Sequence, residues 1–237
     1  MMPETPLQLA VIIGSVREGR FGPTVAHWFA RRAESRSDMT VDVIDLAESP
    51  HAEGSQGSAT TGRRPAEDRR PAEDLRTTED RRPAEDPRTT EDRRPAEDPR
   101  ASEEPAAAPV ALSPRLAAAD AFVVVTPEYN HSFPAALKHA LDGHGAEWRA
   151  KPVGFVSYGG ISGGLRAVEQ LRQVFAELHA TTVRETVSFH NVWDRFGADG
   201  MPLDEEGPDG AAAAMLDQIA WWAHALRDAR TAHPYGS

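Results

Sequence analysis

The sequence alternates between short apolar segments and segments whose apolar residues recur at helical spacing. This alternation predicts an α/β fold in which a doubly wound parallel sheet of five strands lies between two layers of helices. The predicted strands are Leu7 to Ile13, Met39 to Ile44, Ala121 to Val125, Val153 to Val156 and Thr181 to Val187. The predicted helices begin near Gly22, Val110, Pro134, Leu165 and Ala211.

A region of low complexity separates the second predicted strand from the third. Residues 63–104 form seven hexapeptides of the RRPAED type and contain one strongly hydrophobic residue, Leu75. A segment with so few apolar side chains cannot offset the entropy lost on ordering. We therefore predict one domain made of residues 1–48 and 109–231, a disordered insertion at 49–108 and a disordered tail at 232–237. The insertion is either a docking tether or a neutral expansion of a surface loop.

The composition excludes several classes of function. The chain has no cysteine, which excludes disulfides, thiolate-bound clusters and thiol nucleophiles, so redox chemistry would need a bound cofactor. The net charge of -11 argues against a nucleic-acid partner. No stretch approaches the ~20 apolar residues of a membrane span, and no basic residue precedes the first apolar run, so we expect a cytoplasmic protein. The histidines form no His-x-x-x-His pair on a helix face, so we expect no metal site.

The loop after the first predicted strand is suited to an anion. Residues 14–24, GSVREGRFGPT, are rich in glycine, hydroxyl groups and arginine, and they lead into a helix at Gly22. Free N–H groups and the positive end of the helix dipole attract a phosphate there. Four side chains add hydroxyl or guanidinium donors: Ser15, Arg17, Arg20 and Thr24. The glycines match neither GxGxxG nor a P-loop, so the loop favours a single phosphate group; the alternative is an ordinary turn with surface arginines.

Two further loops follow the third and fourth predicted strands. In TPEYNHSFPAALKHALD, a polar loop joins a buried strand to a helix and contains Pro127, Glu128, Tyr129 and Asn130. The other loop, SYGGISGG from Ser157, is rich in glycine, which lets a backbone approach a flat ligand closely. The alternative is a flexible connection without a ligand.

Strand order decides whether the three loops meet. In the flavodoxin-like order 2-1-3-4-5, the first, third and fourth strands are neighbours, and ligands bind beyond their carboxyl ends. The loops would then converge on one ligand with a phosphate, a polar chain and a flat aromatic ring. FMN has those parts.

The three loop sequences resemble those of the NADPH-dependent FMN reductase family. GSVREGRFGPTVA, TPEYNHSFPAALKHALD and KPVGFVSYGGISGGLRAVEQLRQVF are similar to the flavin-contacting regions of that family. The resemblance implies a flavodoxin-like domain that binds FMN non-covalently and forms a homodimer or homotetramer. The chain departs from the family where the insertion replaces most of an ordered loop and a longer helix before the third strand.

The resemblance also assigns the residues that bind the cofactor. It implies that the phosphate is held by Ser15, Arg17, Arg20, Gly22 and Thr24. It implies that the ribityl chain and ring are lined by Pro127, Glu128, Tyr129 and Asn130. It implies that the isoalloxazine is bordered by Ser157, Tyr158, Gly159 and Gly160.

The implied reaction needs no catalytic side chain. NADPH or NADH would reduce bound FMN, which would then reduce free flavin, a quinone or another small acceptor in a ping-pong reaction. Tyr158 and Gly159 are expected near the ring, and N–H groups at Gly159 and Gly160 are expected to stabilise charge on the reduced flavin. One alternative is an FMN electron carrier that does not oxidise NAD(P)H directly. Another is an interaction protein whose repeat recruits partners.

Overall fold

The structure is a computed structural model that describes residues 5–48 and 111–236, and the predicted insertion at 49–108 lies outside them. Its sheet has five parallel strands in the order β2-β1-β3-β4-β5, which confirms the predicted flavodoxin-like fold. The strands are β1 (Leu7–Ile13), β2 (Met39–Asp45), β3 (Ala121–Pro127), β4 (Pro152–Tyr158) and β5 (Thr181–Phe189). The α-helices are α1 (Gly22–Glu34), α2 (Leu112–Ala118), α3 (Ala135–Asp142), α4 (Leu165–Glu177) and α5 (Glu206–Ala232). Three short 3₁₀ helices lie at Leu46–Glu48, Ala146–Trp148 and Val192–Asp194.

Each face of the sheet carries its own hydrophobic core. On one face, alternate residues of β1, from Leu7 to Ile13, pack with Trp28 and Phe29 of α1 and Met215 of α5. On the other face lie side chains of α2, α3 and α4, with Trp148. Because both faces are buried, the central strands are mostly apolar and do not alternate between polar and apolar residues.

Strands β3 and β4 extend further than their sequences indicated. We expected Pro127 to end the pairing of β3, but it lies opposite Tyr158 within the ladder. A proline lacks only the N–H, so its carbonyl side still allows strand geometry. Pro152 likewise begins β4, a position at which a missing N–H is tolerated. Consequently Pro127 and Tyr158 lie at strand ends and not in loops.

Helix α5 begins at Glu206, before the predicted start near Ala211. Its buried side chains include Met215, Ile219 and Ala223, which recur every four residues. The spacing of Met215, Ile219 and Trp222 in the sequence favours an inward position for all three, but Trp222 is 37% exposed because it lies one position before the buried Ala223. Beyond the helix, the hydroxyl of Tyr235 lies 2.9 Å from Nδ1 of His179. The disordered tail at 232–237 remains a prediction.

The helices of the described residues include none that is both long enough and apolar enough to cross a bilayer. In the same part of the chain, no group of three or more His, Asp or Glu side chains is arranged to hold a metal ion.

Candidate functional site

The carboxyl ends of β1, β3 and β4 are adjacent, and their loops lie along one edge of the sheet. The N–H of Gly14 donates to the carbonyl of Val125 over 2.9 Å, so the first loop leaves the sheet beside the end of β3. Strand β3 is paired with β4 as far as Pro127 and Tyr158. The fold thus brings together the three loops that the sequence singled out.

The first loop turns tightly and exposes its backbone. The N–H of Arg20 donates to the carbonyl of Arg17, and Gly19 adopts a φ of 65°, which favours glycine. Within the described chain, the N–H groups of residues 16–19 have no backbone acceptor. Helix α1 then begins at Gly22 without a side-chain cap and without an acidic residue in its first turn. Unpaired N–H groups at a helix amino terminus attract an anion.

Ser15 and Tyr158 support this loop from inside the protein. Both are buried, and their hydroxyl oxygens are 3.1 Å apart. A Cβ atom at Gly22 would lie 2.6 Å from Oγ of Ser15 and 2.9 Å from the Tyr158 hydroxyl, so only glycine fits where α1 starts. Burial raises the pKa of Tyr158 well above its ordinary value, and the phenol stays protonated. We expected the Tyr158 ring to border a flavin, but at 4% exposure it offers a ligand little surface.

The two arginines of the loop differ in how free their charges are to bind a ligand. Arg20 forms an ion pair with Asp45 at the end of β2, which neutralises its charge locally. The guanidinium of Arg17 instead lies over the ring of Tyr129, with Cζ 3.7 Å from the ring centroid. Arg17 is exposed, and its stacking joins the loop after β1 to the loop after β3.

The loop after β3 is a tight hairpin. Tyr129 and Ser132 exchange backbone hydrogen bonds of 2.8 and 3.0 Å, and the two residues between them have positive φ, 52° at Asn130 and 68° at His131. Positive φ at both central positions is the geometry of a type I′ turn, for which asparagine is among the favoured residues. The turn fixes the direction in which the Tyr129 side chain leaves the loop.

Glu128, just before the hairpin, is a buried carboxylate with two donors. Oγ of Ser162 donates to it over 2.7 Å, and Arg166 forms an ion pair with it. Burial alone would raise the pKa of Glu128, but the hydrogen bonds from Arg166 and Ser162 and the charge of Arg166 lower it below its ordinary value. The carboxylate is therefore ionised at neutral pH.

The glycine-rich loop after β4 is compact. Gly163 and Gly164 have φ of 58° and 84°. A Cβ atom at Gly163 would lie 2.4 Å from Oγ of Ser188, and one at Gly164 would lie 2.8 Å from Cβ of Ser157. Oγ of Ser157 donates to the carbonyl of Gly163 over 2.7 Å, so this serine braces the loop from within.

The two glycines at the start of this loop are not equivalent. We expected the N–H of Gly159 to stabilise charge on a ligand. In the structure it instead donates to the carbonyl of Phe189 over 3.2 Å. Gly160 has open space where a Cβ would lie, and in the described chain its N–H has no backbone acceptor. Gly160 is the better placed of the two to face a ligand.

Several side chains at this site were not singled out by the sequence. Ser162 and Arg166 hold Glu128, and Asp45 holds Arg20. Phe196, in the loop after β5, contacts the ring of Phe21 at the start of α1, with centroids 5.4 Å apart. A signal was present for Arg166, since it follows the last glycine of the loop by two positions and so falls in the first turn of α4.

Comparison with known proteins assigns the chain to a family. The sequence profile of the NADPH-dependent FMN reductase family matches residues 7–194, a range that contains all three loops. An NAD(P)H-dependent FMN reductase of Schizosaccharomyces pombe is 30% identical over 178 residues, which are 73% of this chain and 70% of that protein. An NAD(P)H:quinone oxidoreductase of Solanum tuberosum is 34% identical over 114 residues, which are 45% of this chain and 58% of that protein.

Two solved structures share the fold. An oxidoreductase from Corynebacterium diphtheriae superposes with a TM-score of 0.54 at 14% identity, over 94% of this chain and 99% of that one. A flavoenzyme NAD(P)H:(acceptor) oxidoreductase from Paracoccus denitrificans gives a TM-score of 0.53 at 18% identity, over 93% and 98%. At these identities the similarity concerns the fold alone, whereas the sequence match is specific: the chain belongs to the NADPH-dependent FMN reductase family, a family of oxidoreductases.

Proposed function

We propose that the protein is an NAD(P)H-dependent FMN reductase that oxidises NADPH or NADH and reduces a small acceptor, with the two substrates using one pocket in turn. The observation that carries the proposal is the meeting of the three loops. Arg17 of the first lies over Tyr129 of the second, and Glu128 of the second is bonded to Ser162 of the third. The three loops are thus linked by side-chain contacts, which supports one shared site.

The donors of the first loop suit a phosphate group. The N–H groups of residues 16–19 and the uncapped start of α1 provide positive partial charge, and Arg17 and Thr24 add side-chain donors. The space that only glycine allows at Gly22 brings the helix start close to the loop. These residues would hold the phosphate of FMN. Arg20 would contribute chiefly by fixing the loop through Asp45.

The walls of the pocket suit a flat ring. The end of β3 at Pro127 and the loop that follows it to Asn130 would form one wall, and the backbone at Gly160, where no side chain intervenes, would form the other. When bound, FMN supplies the ring that accepts a hydride and later gives it up. The work of the chain is to fix that ring and to leave one side open to a second flat substrate.

No side chain of the described site needs to act as acid or base. The Glu128 carboxylate is ionised and paired with Arg166, so it is no proton donor at neutral pH. The Tyr158 phenol is buried and stays protonated, so it is no base. Both residues are therefore proposed to shape the pocket.

Relatives support the class of acceptor. Besides the potato protein, a quinone reductase of Escherichia coli is 36% identical over 85 residues, which are 32% of this chain and 43% of that protein. A quinone or free flavin is flat, as a second substrate of such a pocket must be. Assembly into a homodimer or homotetramer and a cytoplasmic location remain predictions.

An absorbance spectrum of the purified protein tests the proposal. We expect added FMN to bind and its visible absorbance to bleach within seconds of anaerobic addition of NADPH or NADH, and to return when a quinone is added. Bound flavin that stays oxidised with both nucleotides would instead support an electron carrier. Protein that takes up no FMN would support an interaction protein.

A further inference from the structure

Arg166, in the first turn of α4, contacts both the loop after β3 and the glycine-rich loop. Its Nε donates to Oε1 of Glu128 over 2.6 Å, and its Nη2 donates to Oγ of Ser162 over 3.1 Å. Its Nη1 donates to Nε2 of His131 over 2.9 Å, and since a guanidinium can only donate, this ring nitrogen is the acceptor. One side chain therefore joins a buried carboxylate, the hairpin tip and the glycine-rich loop.

Gln170, one turn further along α4, holds the same hairpin at its backbone. Its Nε2 donates to the carbonyl of His131 over 2.9 Å, and its Oε1 accepts a hydrogen bond of 2.6 Å from Oγ of Ser132. The first of these bonds falls on His131, whose φ is positive, and the second on Ser132, the residue that follows it. Gln170 of α4 thus bonds to the hairpin at one side chain, that of Ser132, and at one main-chain group, the carbonyl of His131.

The ion pair is unequal in burial, which makes Glu128 dependent on Arg166. The carboxylate side chain is 7% exposed and the guanidinium side chain 45%. Without the arginine side chain, an ionised carboxylate would remain in a mostly buried site, with Ser162 and the backbone N–H of residue 166 as its donors. It would then move toward solvent and carry the start of the hairpin with it.

We propose that Arg166 and Gln170 are positioning residues of the FMN pocket: from α4 they fix the hairpin of residues 129–132 against the glycine-rich loop. The two walls that enclose the ring then form one rigid unit. The inference rests on the proposed function, because it concerns the same pocket. It adds a role for α4, which contributes none of the residues assigned to FMN.

Arg172, further along the same helix, provides a matched control. Its Nη1 donates to the carbonyl of Val183 over 2.7 Å and its Nη2 to that of Arg184 over 3.1 Å, both on β5. Arg172→Gln therefore removes an arginine that, like Arg166, lies in α4 and forms several hydrogen bonds. It changes no contact with the hairpin or the glycine-rich loop. Any loss that R166Q and R172Q share is a loss of general stability.

The experiment measures FMN affinity by fluorescence quenching in the unsubstituted protein and in R166Q, Q170L and R172Q. We expect R166Q and Q170L each to raise the Kd for FMN about tenfold, the size of a typical coupling between residues in one network, and R172Q to change it less than about twofold. Equal Kd values in all three variants would overturn the inference. If circular dichroism shows that R166Q does not fold, the Kd of Q170L tests the inference instead. Q170L removes no charge, so it leaves the carboxylate of Glu128 paired.

A pH series separates positioning from mere stability. The charged or titratable groups that face Glu128 in this cluster are Arg166 and, through it, His131. In R166Q the carboxylate loses its cation, so we expect the ratio of its Kd to that of the unsubstituted protein to rise with pH between about 5 and about 8 as Glu128 ionises and leaves its site. The comparison must be a ratio because the phosphate of FMN itself titrates near pH ~6. For the double variant E128Q/R166Q, and for R166K, which keeps the charge, this ratio should stay constant over the range. A constant ratio for R166Q would overturn the role given to the ion pair.

The controls distinguish this inference from the proposed function. If the unsubstituted protein takes up no FMN, the proposed function fails and the inference fails with it. If the unsubstituted protein binds FMN and NADPH reduces it, while R166Q and Q170L behave like R172Q, only the inference fails.

Discussion

The hydroxyl of Tyr158 lies 3.1 Å from the hydroxyl of Ser15, and this contact joins the end of β4 to the loop after β1 beneath the protein surface. The same hydroxyl sets the space at Gly22, where a Cβ would lie 2.9 Å from it. We therefore expect Tyr158 to act on the proposed phosphate site through the loop, and its contact with a flavin ring stays a prediction.

Replacing Tyr158 by phenylalanine should weaken the binding of FMN more than that of riboflavin. The change removes the buried hydrogen bond between Tyr158 and Ser15. Such a bond contributes about 1 kcal/mol, so we expect the Kd for FMN to rise about fivefold. Riboflavin has no phosphate, so its Kd should stay nearly constant. Tyr235→Phe, which changes a half-exposed tyrosine far from the loops in sequence, is the control. Equal weakening of both ligands would place Tyr158 at the ring after all.

Variants of Asn130 test whether this residue serves the backbone turn or contacts the flavin through its side chain. Its φ of 52° suits asparagine or glycine and is strained for alanine by about 1 kcal/mol. If the residue serves the turn, Asn130→Gly should bind FMN nearly as the unsubstituted protein does, whereas Asn130→Ala should lose both thermal stability and affinity. If the amide contacts the flavin, as the resemblance implies, the two variants should lose affinity alike. Thermal unfolding and FMN titration of both variants decide.

Gly22→Ala should disrupt the start of α1. The added methyl group would lie 2.6 Å from Oγ of Ser15, closer than a methyl carbon can approach an oxygen atom, so the loop must shift. We expect the Kd for FMN to rise by more than tenfold and the free energy of unfolding to fall by about 1–3 kcal/mol, as in other overpacked sites. Gly210→Ala, in the first turns of α5 with open space around its Cβ, is the matched control and should be neutral or stabilising. Normal FMN affinity in G22A would show that the loop adjusts without cost.

The sequence was sufficient to predict the alternation of strands and helices and the three loops, because apolar runs, glycines and prolines are local signals. The strand order, which the structure confirms, came from the flavodoxin-like fold that the family resemblance implied. It was not sufficient to orient Tyr158. Both faces of β4 are buried, so its apolar run has no alternation to show which face a residue takes. Once Val156 is known to face α1 and α5, and Phe155 the opposite side, the pleat places Tyr158 with Val156 and Ser157 with Phe155.

The partners of the charged residues were harder to predict. Arg166 is separated from Glu128 by more than a strand and a helix, and only the pairing of β3 with β4 brings them together. Asp45 reaches Arg20 because β2 is the neighbour of β1, which is a fact of strand order. Contacts of this kind depend on strand order and on the register of the paired strands, so composition and motif spacing cannot predict them.

Lys151 gives a prediction about stability and pH that is separate from the FMN site. The side chain is buried at the opposite end of β4, and its Nζ donates to the carbonyls of Leu116 and Ala117, 3.0 Å away in each case, at the end of α2. Burial, together with the positive charge of Arg230, lowers the pKa of Lys151 to about 8. The carboxylates of Asp120 and Glu147 act in the opposite direction.

The sign of the effect follows from proton binding. In the unfolded chain a lysine titrates near about 10.4, so between about pH 8 and that value the unfolded chain holds a proton that the folded chain lacks. Stability from this group must therefore rise with pH across the window, whereas below about pH 8 the ammonium is charged in both states and the cost of burying it is present in full. A neutral amine keeps two N–H groups, enough for both carbonyls. Urea unfolding at about pH 7 to 10 should show the unsubstituted protein gaining up to about 3 kcal/mol relative to Lys151→Met, and a constant difference would mean that the ammonium is hydrated.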